Sequence, residues 1–353
     1  MYQSDYTLTG TNHGGIGYLS RMPVRFLTEE QQQRYGCYLD APTELQLDRY
    51  FHLDDVDRQL IAARRGDHNR LGFAVQLGTV RFLGTFLSNP LTVPPAVVEY
   101  VAQQLDIADI SILSSYRERP QTSREHAGVI QRHYGYRDFS HQPEHWRFVR
   151  WLYGRAWVGT EGPSVLFDLA TAQLLEQKIL LPGVSVLERL VATVRERVSQ
   201  RIWQRLSRLP NAEQCRQLEA LLRLDTDART TVLDQLRRSP TRHSAPALVA
   251  ALKRLWRIRA IGVGDLTFPK VPPSRIKVRA RAAFTSRAQT IERMPQPRRS
   301  ATLLAFARDV EATAQDDTLA VLELLTKELL SKSTNQGKKE RLRTLKDLDS
   351  AAL

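Results

Sequence analysis

The sequence predicts an all-α protein: small helical modules of helix-turn-helix size in series, followed by a helical hairpin. Three observations carry this. Apolar residues recur at helical spacing along nearly the whole chain, as at Leu71, Ala74, Val75, Gly78 and Phe82. No alternating run of β-branched residues exceeds a few positions, so strands have no pattern to form from. Proline and glycine cut the periodic stretches into short pieces, at Gly66, Pro90, Pro94, Pro95, Gly162, Pro163, Pro182, Gly183, Pro240, Pro272 and Pro273.

In chain order, residues 1–21 are polar and glycine-rich and are expected to form a disordered leader, with Met22 a candidate natural start. A first module is expected over 22–109. Thr28 and Thr43 are N-cap candidates for short helices over 29–35 and 43–51. Asp54 and Asp55 open the next, where carboxylates suit a helix N-terminus, and they are read as caps rather than metal ligands. Gly66 breaks the chain before a helix reaching Gly84. One face of that helix is apolar; His68, Asn69, Gln76 and Thr79 lie towards the other. Small residues on one side and amides opposite suit a helix that reads DNA, and equally an ordinary packed helix. Pro95 fits the first turn of a helix over 96–105.

The second module spans 110–209. Ser123 is expected to cap a helix that Gly135 stops. Residues 146–157 form a helix in which Arg147, Arg150 and Arg155 alternate with Trp146, Phe148, Trp151, Tyr153 and Trp157. Interleaved arginines and rings can stack on bases or bury a core from which the arginines reach outward. Another helix is expected over 165–179. Ser185 and Glu188 have capping-box spacing and open the longest predicted helix, 186–209. Its stripe is Leu187, Leu190, Val191, Val194, Val198, Ile202 and Leu206, with arginines around the rest.

The third module, 210–299, is predicted helical over 212–224 and 228–237. Ser244 then caps 245–260, and Ser274 caps a basic helix carrying Arg275, Lys277, Arg279, Arg281 and Arg287. The last segment, 300–353, turns rich in Ala and Leu and close to neutral. Asp316 and Asp317 are expected to split it into a hairpin for packing or self-association.

The chain has 51 basic and 38 acidic residues, net +13, and the charge is unevenly placed. Residues 1–110 carry 9 basic and 13 acidic groups; 111–209 carry 15 and 9; 210–299 carry 19 and 7; 300–353 carry 8 and 9. Such concentration favours a polyanionic partner contacted through the middle of the chain. Arginine's dominance fits phosphate and base-edge recognition, and a GC-rich coding sequence produces the same bias.

Other classes find little support. No apolar run of membrane-spanning length and no signal-peptide pattern occurs. Cys37 and Cys215 are far apart and fit a reducing compartment. No phosphate-binding glycine loop, dinucleotide fingerprint, HExxH or GxSxG is present. His126, His133, His141 and His145 fall close together, but no cysteine joins them and Pro143 interrupts any shared helix, so they are read as structural or exposed.

Several stretches in order resemble one family. Residues 23–28 (PVRFLT), 49–53 (RYFHL), 64–84, 134–139 (YGYRDF), 147–157 and 180–184 (LLPGV) resemble the N-terminal region of Tn3-family replicative transposases. Residues 298–306 (RRSATLLAF) and 339–349 (KERLRTLKDLD) resemble the region that follows, so the likeness covers about 22–353. It implies helical modules that grip double-stranded DNA at a transposon's terminal inverted repeat, with 300–353 as the start of a dimerisation region. A homodimer is possible. Neither a membrane nor a small-molecule substrate is expected. The resemblance also implies that the magnesium-dependent Asp/Asp/Glu chemistry belongs to a later domain, so this stretch is expected to bind without cutting and to need no cofactor. A bacterial cytoplasmic, nucleoid-associated location follows. The alternative is a self-association module with nonspecific DNA contact. Candidate contacts are Arg64, Arg65, Asn69, Arg70 and Gln76 in the first module; Arg147, Arg150 and Arg155 in the second; and Arg275, Lys277, Arg279 and Arg281 in the third.

Overall fold

Capping residues place the first helices where the sequence puts them. In the computed structural model, which describes residues 25–351 apart from 88, 90, 91, 119, 226–228 and 269, Thr28 caps α1 (Glu29–Arg34) and Thr43 caps α2 (Glu44–Tyr50). The expected leader and Met22 lie outside the described residues. Asp54 and Asp57 form a reciprocal box at the start of α3 (Asp55–Ala62), so the acidic cluster here is a cap. Then come α4 (Asp67–Leu83), α5 (Pro95–Gln104), a 3-10 turn (Ile110–Ile112), α6 (Leu113–Arg117), α7 (Pro120–Tyr134), α8 (Glu144–Val158), α9 (Pro163–Glu176) and α10 (Val184–Ser207). The remainder is α11 (Ala212–Ala220), α12 (Val232–Leu236), α13 (Ala245–Arg259), α14 (Pro273–Thr285), α15 (Ala288–Glu292) and α16 (Gln296–Ala351). The described residues contain no strand, only two isolated β-bridges, so the protein is all-α. Among the described residues, no helix is long and apolar enough to cross a membrane.

The chain divides into two compact units, and of their three borders the one at 162/163 falls on a proline break while those at 145/146 and 192/193 do not coincide with any of the breaks named above. Unit 1 is 1–145 with 163–192; unit 2 is 146–162 with 193–353. The expected border at 109/110 fails because α6 and α7 pack on α4. The one at 299/300 fails because residues 300–307 are buried against α11, α13 and α14. Prolines mark where helices end; burial decides which helices belong together.

In unit 1, α4 is the central helix. Every residue from Leu71 to Val80 is buried, with α2, α3, α5, α6 and α7 packed around it. Two glycines inside α4 allow close approaches by aromatic rings. A Cβ on Gly72 would lie 2.4 Å from the Tyr116 ring, and one on Gly78 only 2.2 Å from Phe51. Asp57 and Arg81 pair through two bonds of 2.7 and 2.8 Å beneath the Tyr134 ring, and the Tyr134 hydroxyl donates to the same carboxylate.

Three capping expectations are corrected. Ser123 lies inside α7, and its hydroxyl accepts from Gln76. Glu188 does not close a box with Ser185; it is buried and accepts the backbone N–H groups of Phe26 and Leu27. Ser274 does not cap α14, which begins at Pro273; its hydroxyl donates to the Val158 carbonyl.

In unit 2 the first turns of α16 form the core, with Leu303, Leu304, Phe306 and Val310 fully buried. The predicted hairpin is a single helix of 56 residues, about 84 Å long at 1.5 Å per residue. Asp316 and Asp317 do not break it. Aspartate costs a helix interior only about 0.7 kcal/mol, and Asp317 accepts a 2.6 Å bond from the buried Arg254. Beyond Val321 the leucines are mostly exposed, among them Leu322, Leu329, Leu330, Leu342 and Leu345.

Candidate nucleic-acid interface

Charge divides between the units about as unevenly as between the sequence segments. Unit 2 holds 35 basic and 18 acidic residues, net +17; unit 1 holds 16 and 20, net −4. The polyanion-attracting surface is therefore a property of unit 2.

The first candidate set gathers at the N-terminal end of α4, where most of it is tied to the protein. Asn69 donates to the Arg65 carbonyl at 2.8 Å. Arg70 reaches the Arg64 carbonyl at 3.4 Å and Asp67 at 3.3 Å. The half-buried Arg64 guanidinium lies 5.2 Å from the Phe73 ring centroid and donates to the Leu60 carbonyl at 3.3 Å. Arg65 is exposed. Gln76 is a correction: it is 5% exposed and donates to the Ser123 hydroxyl at 2.5 Å, so it cannot reach a groove. Both faces of α4 are covered, which one periodic stripe in the sequence does not reveal. Beside it, Tyr116 and His126 are bonded at 2.9 Å, and burial together with the charge of Arg64 pushes His126 down to about 4. His126 is buried, while His133 and His141 are exposed; His141 meets Glu144, and the half-buried His145 meets the Phe139 carbonyl. Among the described residues no group of three or more His, Cys, Asp or Glu is placed to hold a metal ion.

On α8, Arg147 and Arg150 are exposed one turn apart, while Phe148, Leu152 and Ala156 are buried. The interleaved pattern thus separates by helical phase into a core face and an outer face, with Trp146 62% exposed. Arg155 is held by Glu161 at 2.5 Å. On α14, Lys277 and Arg281 are exposed, also one turn apart, with no ion pair among the described residues.

Arg275 and Arg279 occupy the other side of α14 and are half-buried. Arg275 donates to the Gly159 carbonyl at 3.2 Å. Arg279 donates to the Ser199 hydroxyl at 3.3 Å, and its guanidinium lies 5.1 Å from the centroid of the Trp203 ring. Arg298, from the first turn of α16, lies over the same ring at 5.1 Å. Burial, reinforced by Arg275, Arg298 and Arg195, lowers Arg279 to about 10. Arg195, Trp203 and Arg298 were not among the candidate contacts. The spacing of Arg195, Ser199 and Trp203, four residues apart on one predicted helix, was the available signal.

The family profile for a domain of unknown function, DUF4158, matches residues 26–194. The chain is 46% identical over 332 residues to the transposase for transposon gamma-delta of Escherichia coli (strain K12), covering 94% of this chain and 33% of that protein. It is 28% identical to the transposase for transposon Tn21 of Escherichia coli, over 83% of this chain and 29% of the relative. It is also 28% identical to that for Tn501 of Pseudomonas aeruginosa, over 88% and 31%. The chain spans about a third of the length of these relatives. With an all-α fold, a basic second unit and this extent of identity, the chain belongs to the Tn3 family of transposases and corresponds to their N-terminal region.

Proposed function

We propose that this region binds double-stranded DNA at a transposon's terminal inverted repeat and leaves strand cutting, with its magnesium requirement, to the remainder of the longer protein. The observation that carries this reading is the net +17 of unit 2. Part of that charge stands on outward helix faces: Arg150 of α8 and Lys277 and Arg281 of α14 are exposed and hold no carboxylate among the described residues. Phosphate contacts by such groups supply affinity and set register, while base edges supply sequence discrimination. Arg65 and Arg70 remain candidate contacts in unit 1, which is net acidic and contributes selectivity rather than bulk affinity. The site of action is the bacterial nucleoid. Fluorescence anisotropy with labelled inverted-repeat and scrambled duplexes across a salt series tests this. Preferential, steeply salt-dependent binding is expected; equal affinity for both duplexes, or a flat salt response, refutes it.

A second reading, self-association, rests on the exposed leucines of α16 beyond Val321. Their partner would be the same stretch of a second copy. Truncation after Val321 keeps the buried turns of α16. Sedimentation should then show loss of dimer with specific DNA binding retained; loss of both would make assembly the primary role.

A further inference from the structure

The arginines of unit 2 fall into three kinds. Some are exposed. Others hold carboxylates: the buried Arg254 with Asp317 at 2.6 Å, and the half-buried Arg237 with Asp234 at 2.6 Å and Arg299 with Glu219 at 2.8 Å. A third group, Arg195, Arg205, Arg275, Arg279 and Arg298, is half-buried, and no carboxylate lies within ion-pair distance of any of them among the described residues; Arg205 lies over the Trp157 ring, while the other four act on one another. Arg279 feels the other three as repulsion, and Glu196 is the carboxylate that offsets part of it; Glu161 does the same for Arg275 while bonded to Arg155.

Gathering like charges under partial burial costs stability. The arrangement is nonetheless fixed by specific contacts. The Trp203 ring orients two guanidinium planes, Ser199 holds Arg279 and the Gly159 carbonyl holds Arg275. Trp203 Nε1 is itself buried with no acceptor. Oriented guanidinium forks with donors unspent match the oxygens of a tetrahedral anion, and holding them in advance lowers the entropy lost on binding. We propose that Arg195, Arg275, Arg279 and Arg298 form one built site for a phosphate group, occupied by a backbone phosphodiester of the bound duplex. The choice of duplex phosphate over free phosphate rests on the DNA-binding reading above. In this arrangement Arg279 and Arg298 make the forked contacts, Arg195 and Arg275 add field, and Trp203 is a positioning residue.

The test uses the full chain and the double variant R279Q/R298Q. Thermal melts in inorganic phosphate are compared with chloride at matched ionic strength. The original protein should be stabilised by phosphate and the double variant should not; without phosphate the variant should melt no lower, because repulsion is relieved. In duplex binding, the plot of log K against log salt should flatten by about 0.9 for the one phosphate lost, equally for inverted-repeat and scrambled duplexes. If the variant keeps both the phosphate response and the full slope, the site is refuted while DNA binding by the original chain stands. A phosphate response that the variant loses, in a chain that binds no duplex, refutes the DNA reading and assigns the site to free phosphate. Should the glutamine pair fail to fold, R279K/R298K carries the test: lysine keeps the charge but not the fork, so phosphate affinity should fall about tenfold with the salt slope retained.

Discussion

Replacing Arg81 by methionine should damage unit 1 more than any surface change. Asp57 has a side chain 1% exposed, and Arg81 supplies both of its short charge-assisted bonds. Without Arg81 the carboxylate keeps only the Tyr134 hydroxyl and the Asp54 N–H, neither of which neutralises it. Removing one partner of a buried pair costs about 3–5 kcal/mol, whereas replacing both removes the stranded charge and costs far less. R81M should therefore lose at least about 3 kcal/mol, and D57N/R81M should recover about half of that or more. The assay can be assigned to a unit, because all five tryptophans lie in unit 2. Urea unfolding followed by circular dichroism reports both units, and tryptophan fluorescence reports unit 2. A loss seen in circular dichroism and absent from fluorescence places the damage as argued. A single-variant loss under about 1 kcal/mol, or a double variant no better than the single, refutes the reasoning.

The same pair fixes the acid limb of stability. Burial alone would raise Asp57, but Arg81 and the hydrogen bonds of Tyr134 and Asp54 outweigh it and hold the carboxyl below its ordinary value. A lowered folded-state value means the contribution is complete above the unfolded value of about 4 and is lost as pH falls through the folded one. D57N/R81M should accordingly show a flatter stability profile below about pH 4 than the original chain, measured by urea midpoints across pH.

Three further outcomes separate packing from recognition. Gln76→Ala should cost about 1–2 kcal/mol by chemical denaturation, with no change in preference between specific and scrambled duplexes, because the amide spends its bond on Ser123. Gly78→Ala should cost about 1–3 kcal/mol, since the new methyl meets the Phe51 ring. Lys277→Ala and Arg281→Ala should leave the melting temperature within about 1 °C, as exposed changes do. Each should reduce the salt slope of DNA binding by about 1.

Helix existence was legible in the sequence because its cues are local. Thr28, Asp54, Ser244 and the glycines at 135 and 262 each act within a turn of where they stand. What escaped was set by partners distant in the chain. Gln76 looked polar-faced because it lies towards the same side as His68, Asn69 and Thr79. Its surroundings are made by α7, some 47 residues on. Glu188 looked like half of a capping box, yet it serves backbone N–H groups 161 and 162 residues earlier. The Asp316–Asp317 pair looked like a break because two acidic residues in a row punctuate a loop well. A 2.6 Å bond from Arg254 gives one of them a reason to sit mid-helix.

The candidate interface shows the same division, with a consequence for the proposed recognition of DNA. Net charge by segment pointed to residues 111–299, and grouping by folded unit assigns the excess to unit 2, at +17 against −4. The exposed arginines were legible by type and helical phase. The Trp203 cluster was not, because Arg279 and Arg298 come from α14 and α16 and only the fold brings them to a ring on α10. An exposed arginine can follow any phosphate along a duplex. A guanidinium pinned against Trp203 accepts a phosphate at one position only, so it converts charge into register. If affinity came from the exposed set alone, tilting the duplex on unit 2 would cost little. On the proposed function, a fixed site makes such a tilt lose a forked contact, about 1.5–3 kcal/mol for a hydrogen bond to a charged group. Because a phosphate stands at every step of a duplex, this contact positions inverted-repeat and scrambled DNA alike and leaves sequence discrimination to base edges.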